Sequence, residues 1–170
     1  MRCRRGSFTV DTLIHDTLGV VSRINSLVDQ FRVKNFFIIF IQHDGSQWDA
    51  NKLNTEEWEL LDELEVHPSG LIIGKTANDS FYNSELESTL HQHNINEILI
   101  TGCATDFCVE AKIQSAMTKY YHITVVEDGH TNGERLNISA KDVIAHYNWT
   151  WKHMIPTKGS LKVMGHENIT

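Results

Sequence analysis

The sequence predicts an α/β protein with a mostly parallel sheet covered by helices, in a three-layer α/β/α arrangement. Three observations predict it. Segments with apolar residues at helix spacing alternate along the chain with short, unbroken apolar runs. Those runs, above all Phe36 to Ile41, lack the polar alternation of a half-exposed strand and mark strands buried on both faces. The connections are short, so successive strands should be joined by right-handed βαβ crossovers.

Leu18, Val21, Ile24, Leu27, Val28 and Phe31 recur at helix spacing, which predicts an amphipathic helix over Leu13 to Arg32. Phe36 to Ile41 is the first buried strand. Thr55 reads as the N-cap of a short helix through Leu64, with Glu56 and Glu57 favourable in its first turn. Pro68 to Gly70 punctuates, and Leu71 to Ile73 is a short buried strand. Asn83 or Ser84 caps a helix reaching Gln92, and Glu97 to Ile100 is the next strand. Phe107 to Tyr120 is a helix, His122 to Glu127 a strand, and Ser139 caps a helix through Met154. In the tail, Leu161 to Val163 can form a short edge strand. Neither a repeat nor a linker interrupts the pattern, so one domain spanning residues 1–170 is expected.

The chain of 170 residues is long enough to bury a sizeable core, with 41% hydrophobic and 22% charged residues. Its net charge of −7 argues against a nucleic-acid partner, which requires clustered Lys and Arg. Arg2, Arg4 and Arg5 form the only basic cluster, and a solvated terminus explains them. Cys3, Cys103 and Cys108 show no paired spacing, and the start MRCRRGSF has no apolar signal region. Reduced thiols in a cytoplasm are therefore expected. No apolar run approaches the ~18 residues of a membrane helix.

The segment Thr101 to Glu110, TGCATDFCVE, carries the chemistry. The strand Glu97 to Ile100 leads into a small-residue turn at Gly102, and a helix-like segment starts at about Asp106. Cys108 falls in the first turn of that segment. There the positive end of the helix dipole favours the thiolate, the nucleophilic form. Turn N–H groups nearby can hold an oxyanion. The competing reading of Cys108 is a small buried hydrophobe under a helix. Lys75 also falls just after a strand, and sites in parallel sheets lie beyond the carboxyl ends of the strands.

Two motifs resemble those of the isochorismatase-like cysteine hydrolases. Thr101, Gly102, Thr105, Cys108 and Val109 fill a hallmark that reads roughly TG-x-x-T-x-x-CV. The stretch IIGKTANDSFYNSEL matches a second hallmark, with Lys75 as its lysine and Ser80 and Phe81 after it. The resemblance runs from about Gly6 to Trp151. It implies an isochorismatase-like, Rossmann-like topology and a cysteine hydrolase that cleaves a C–N bond of a small amide-type substrate through a thioester. It implies Cys108 as nucleophile, Lys75 as the charge that stabilises the thiolate, and the backbone N–H groups of Ala104 and Cys108 as the oxyanion hole. Relatives carry a cis peptide at the position corresponding to Cys103–Ala104. Phe81, Phe107 and Trp48 are candidates to line the pocket, against ordinary packing for each. Cys103 is expected to be structural. Relatives are commonly oligomeric, and Tyr147, Trp149 and Trp151 could form a subunit interface or pack on the sheet.

The family normally opens with a central strand of the type LLVIDMQ that supplies an aspartate to complete an Asp–Lys–Cys triad. Aligning Gly6 and Phe8 with that stretch puts Arg2 in the aspartate's place. The first central strand is therefore expected to be truncated. Its neighbours would then lack backbone partners, and the thiol would lack a general base worth ~10²–10⁴-fold in rate. Three explanations stand: a start that lies further upstream, a relic with little activity, or recruitment of another carboxylate such as Asp11, Asp44 or Asp79. Asp44 follows a strand on the active edge, whereas Asp79 reads as a turn-former. The alternative function is accordingly a catalytically impaired binding or assembly module.

No metal is expected. Zinc-binding relatives use Asp-x-His after the strand that here ends IQHDG, and His43 and Asp44 are adjacent instead. His67 is a stray candidate, and His91 and His93 sit two apart on a helix and point to different faces. No Gly-rich phosphate loop is present, so no cofactor is implied. The expected partners are a small-molecule substrate and further copies of the chain.

Overall fold

The computed structural model describes residues 14–46, 53–55, 58–67 and 70–170. Within them the order is α1 (Thr17–Val33), β1 (Ile39–His43), β2 (Leu71–Lys75), α2 (Leu86–Gln92), β3 (Glu97–Cys103), a π-helical turn (Thr105–Val109), α3 (Glu110–Thr118), β4 (His122–Thr131), α4 (Ala140–His153) and β5 (Ser160–Met164). Helices pack on both faces of parallel strands, which is the α/β/α arrangement the patterning predicts.

The strands form two separate sheets. β1 pairs with β2, and β3–β4–β5 form a second sheet, all parallel. Among the described residues nothing pairs with the free sides of β1 and β3. Among the described residues there is thus a break between two half-sheets, β1–β2 and β3–β4–β5. Residues 1–13, with Arg2, Cys3 and Asp11, lie outside the described residues, as does Trp48.

α1 buries Val20, Val21, Ile24, Leu27 and Val28, the stripe that its spacing predicts. It begins at Thr17 and not at Leu13. Ile14 is bridged antiparallel to Gly133, His15 N–H bonds the Asn132 carbonyl at 3.0 Å, and Asp16 is left-handed at φ 48°. Those contacts hold residues 14–16 in a bridge and turn outside the helix.

The helix expected from Thr55 to Leu64 is not formed in the described residues. Trp58 N–H closes a turn on Thr55, and Leu64 N–H closes another on Leu61. Asn25 of α1 reaches across to bond the carbonyl of Glu63 and the N–H of Glu65. Leu60, Leu61, Leu64 and Val66 pack into the α1 cluster as an irregular layer. Tertiary packing of successive leucines overrides a modest local helix signal.

β2 is an edge strand and not the buried one expected. Leu71 and Ile72 are exposed, and only Ile73 and Lys75 are covered. Phe36 and Phe37, expected inside the first strand, precede it and are exposed as well. The remaining strands and helices fall near their predicted positions, with shifted ends: β3 runs on to Cys103 and β4 to Thr131, α2 starts at Leu86 after Glu85, and a π-helical turn over Thr105–Val109 precedes α3, which ends at Thr118. α4 is capped by Ser139, whose hydroxyl accepts from Asp142 N–H at 3.1 Å. Trp151 is wholly buried, edge-on to His130, with its indole N–H on Glu110 at 2.5 Å. It is core and not an interface residue. Trp149 is exposed and stacks on His153. Among the described residues, no helix is long and apolar enough to cross a membrane.

Candidate active site

The site lies at the carboxyl ends of β2 and β3, on opposite sides of the break between the half-sheets. Lys75 is the last residue of β2 and is 5% exposed. Its ammonium donates to the Asn78 carbonyl at 2.5 Å, so the loop after β2 folds back over its own lysine. The Asn78 side chain turns the other way, and the Cys108 thiol points at its Oδ1 at 3.7 Å. Asn78 therefore links the two residues that the sequence singled out. Sequence reasoning missed it, since an Asn in a polar turn has no signature of its own.

Cys108 is presented by the turn after β3. Gly102 has φ +140°, a conformation suited to glycine, where the register of β3 on β4 shifts. The Cys103–Ala104 peptide is cis, at the position the resemblance indicates. The chain then enters the π-helical turn Thr105–Val109, with the N–H groups of Phe107 and Val109 both on the Ala104 carbonyl at 3.2 and 3.1 Å. Cys108 thus sits in the opening turn of the helical segment, partly accessible.

A buried network anchors this turn from beneath. Thr105 Oγ1 contacts the Thr131 carbonyl at 3.0 Å and His130 Nδ1 at 2.9 Å. His130 Nε2 meets Asn148 Oδ1 at 3.0 Å, and Asn148 Nδ2 donates to the Glu127 carbonyl at 2.9 Å. That last bond fixes the Asn148 amide, so Nε2 must carry the imidazole proton. Burial pushes the His130 pKa down and keeps the ring neutral. Nδ1 is then an acceptor, and the single Thr105 hydroxyl proton is shared between it and the Thr131 carbonyl. Thr105 belongs to the sequence motif; His130 and Asn148 were not legible because their partners lie far along the chain.

The rim is polar. Asp106 forms a two-pronged pair with Arg135 at 2.7 and 2.8 Å, and the guanidinium also reaches Asn132 Oδ1 at 2.7 Å. The Asp106 bonds raise the Arg135 pKa further. Phe107 is half-exposed, with the Arg135 guanidinium 4.9 Å above its ring. Phe81, the other expected pocket residue, is buried in the core and stacks on Tyr121 at 5.8 Å.

Both described carboxylates offered as a substitute base accept hydrogen bonds within their own loops. Asp44 is held at the end of β1 by its N–H on the Lys75 carbonyl at 2.7 Å, but its Oδ1 accepts the Ser46 N–H and hydroxyl at 2.9 and 2.5 Å. Those bonds hold its pKa below the usual carboxylate range, which weakens it as a base. Asp79 accepts the Phe81 N–H at 2.8 Å and is the turn-former its sequence position suggests.

A second lysine joins the group. Lys112 lies four residues beyond Cys108, about one helical turn, and makes no hydrogen bond or ion pair among the described residues. Its pKa is pushed down to about 8, first by burial and then by repulsion from Lys75, with Cys108 and Asp79 acting in the opposite sense. The helix spacing from Cys108 was the available signal, and a charged residue at that spacing reads as a solvated face without the structure. Among the described residues, no group of three His, Cys, Asp or Glu side chains is placed to hold a metal ion.

A parallel α/β/α fold with a cysteine at a strand-to-helix turn and a buried lysine at a neighbouring strand end defines a class, and the comparisons agree with it. The isochorismatase domain family matches residues 8–141, and the chain belongs to that family. A ureidoacrylate amidohydrolase RutB of Variovorax paradoxus is 35% identical over 72 residues, 42% of this chain and 29% of that protein. A streptothricin hydrolase of Streptomyces noursei is 24% identical over 117 residues, 69% of this chain and 42% of that one. The chain thus spans less than half the length of these curated relatives. Among solved structures, an isochorismatase from Pseudomonas putida superposes with TM-score 0.87 at 17% identity, covering 99% of this chain and 87% of that one. An isochorismatase family protein gives TM-score 0.86 at 20% identity, covering 96% and 93%. At these identities the superpositions show the fold.

Proposed function

We propose that the chain is a cysteine hydrolase acting on a C–N bond of a small amide-type substrate. The observation that carries this is the convergence of Cys108 and the buried Lys75 on Asn78 from two different strand ends. In this reading the Cys108 thiolate adds to the amide carbonyl carbon, and the N–H groups of Ala104 and Cys108 hold the resulting oxyanion. The C–N bond then breaks, the amine leaves with a proton, and water hydrolyses the thioester to release the acid and restore the thiol. Lys75 holds the thiolate by charge, and Asn78 fixes the two relative to each other. Both curated relatives are named as hydrolases, one of them an amidohydrolase.

A second reading, a binding or assembly module, is favoured by one observation: Asp44 and Asp79 are both turned into their own loops. Labelling of Cys108 with a thiol-reactive probe across pH separates the two, with Cys108→Ala and Lys75→Ala as controls. A reactive thiolate well below about pH 8.5, weakened by Lys75→Ala, supports the hydrolase. Ureidoacrylate and streptothricin, named in the relatives, then head the amide panel. Labelling no faster than in an unfolded peptide removes the hydrolase reading.

A further inference from the structure

His130 stands in no motif of the sequence, and the proposed mechanism does not use it. A bulge brings it to the turn that carries Cys108. In the pairing of β3 with β4, β3 advances two residues, from Ile100 to Gly102, while β4 advances five, from Val125 to His130. Gly129 fits that detour, since a Cβ there would lie 2.7 Å from Val126 Cβ and 3.1 Å from Thr101 Cγ2. Bulges re-aim side chains beside active sites. Pairing resumes with His130 opposite Gly102 and Thr131 opposite Cys103, and the imidazole reaches Thr105. The ring is 1% exposed. Its Nδ1 meets the Thr105 hydroxyl at 2.9 Å, its Nε2–H donates to Asn148 Oδ1 at 3.0 Å, and Trp151 lies edge-on at 5.1 Å. Both polar positions of the buried ring are taken, one at each end of a bridge from the turn to α4.

We infer that His130 is a positioning residue for the oxyanion hole: its Nδ1 holds the Thr105 hydroxyl, and Thr105 in turn fixes the peptide planes that present the Ala104 and Cys108 N–H groups. The inference rests on the hydrolase reading. Threonine is stiff at χ1, so a fixed hydroxyl fixes the backbone that carries it. The Ala104 carbonyl, joined directly to Thr105, takes the N–H groups of Phe107 and Val109 at 3.2 and 3.1 Å. The turn therefore follows Thr105 as a unit as far as Cys108. The Thr131 carbonyl, 3.0 Å from the hydroxyl, is a loose guide by itself, because carbonyl oxygens accept over a broad range of directions. A second acceptor narrows that range. The precision matters, since a misplacement of about 1 Å in a reacting site can cost about 10²-fold in rate.

The test needs no natural substrate. The intact chain is treated with p-nitrophenyl acetate, which passes its acetyl group to the Cys108 sulfur: the S–C bond forms, the C–O bond breaks and nitrophenolate leaves. That step builds an oxyanion. Alkylation by iodoacetamide displaces iodide and builds none, so the ratio of the two rates reads the oxyanion hole apart from the supply of thiolate. Cys108→Ala gives the background of the other thiols. An Asn side chain sets its amide at the level of Nδ1, and a Gln side chain at the level of Nε2. His130→Asn therefore keeps the contact with Thr105, and His130→Gln keeps the one with Asn148. The ratio should fall at least about tenfold in His130→Gln and stay within about threefold of the parent in His130→Asn. Each variant loses one hydrogen bond, so a merely structural role would move both alike. Thr105→Val should match His130→Gln, and combining the two should lower the ratio no further, because the histidine acts through the hydroxyl. Equal ratios in His130→Asn and His130→Gln, or an additive double variant, would overturn the inference and leave the hydrolase reading standing. A parent ratio no higher than that of N-acetylcysteine would remove the hydrolase reading and this inference with it. If His130→Gln does not fold, the other two variants decide: a parent-like ratio in Thr105→Val, or a lost one in His130→Asn, overturns the inference.

Discussion

Replacing Lys112 by Met should stabilise the protein near neutral pH, and the gain should vanish in alkali. The Lys112 ammonium is desolvated and faces Lys75, which lowers its pKa from 10.5 to about 8. A tenfold change in proton affinity is about 1.4 kcal/mol, so this fall corresponds to about 3 kcal/mol against the folded state. Lys112 lines the break between the half-sheets, so that figure is a ceiling. The sign is the reverse of a lysine with a carboxylate partner. Below pH 8 the group is charged in both folded and unfolded states, and the cost is present in full. Between pH 8 and 10.5 the folded protein has released a proton that the unfolded chain retains, so stability rises with pH. Above 10.5 the cost is gone. Urea unfolding of parent and Lys112→Met at pH 7 and pH 10 should give a difference of about 1–3 kcal/mol at pH 7 that shrinks towards the apolar contribution of the methionine at pH 10. Any pH-independent gain from the more apolar side chain cancels in that comparison. An equal difference at both pH values would refute the burial of Lys112 beside Lys75.

Other perturbations follow from the same geometry. Cys108→Ala should remove probe labelling at the site and all turnover on any amide substrate found, while its midpoint of unfolding stays close to the parent's. Thr105→Val should cost about 1–3 kcal/mol in urea unfolding, because it leaves the Thr131 carbonyl and His130 Nδ1 with fewer partners in a buried network. Trp151→Ala should cost about 3–5 kcal/mol as a core cavity, whereas Trp149→Ala should stay within about 0.5 kcal/mol and leave the oligomeric state to sedimentation analysis.

Much of the architecture was legible because it rests on local pattern. The α1 stripe, the Ser139 cap and the run of β3 into Gly102 each combine short-range signals that agree with the final packing. The segment after Thr55 was misread for the converse reason. Its cap signal is local, but Asn25 and the apolar face of α1, some forty residues away, decide its shape. The exposure of Leu71 and Ile72 was hidden in the same way, since an apolar run does not state which strand lies at an edge. In the site, Cys108, Lys75 and Thr105 stand in motifs. Asn78, His130 and Asn148 act through contacts with distant partners, and Lys112 acquires its meaning only when α3 is laid against the break in the sheet.

That break bears on the chemistry as much as on the fold. Lys75 belongs to the half-sheet of β1 and β2, and Cys108 to the half-sheet of β3, β4 and β5. Within the site, Asn78 touches both, by its carbonyl to one and its side chain to the other. A shift of either half-sheet would move the ammonium relative to the sulfur, and a Coulomb interaction in a partly desolvated site depends on that distance. Asn78→Ala should reduce thiol labelling of Cys108 while leaving global stability within about 1 kcal/mol. Labelling of Asn78→Ala at the parent's rate across pH would show that the half-sheets hold their registry without this contact.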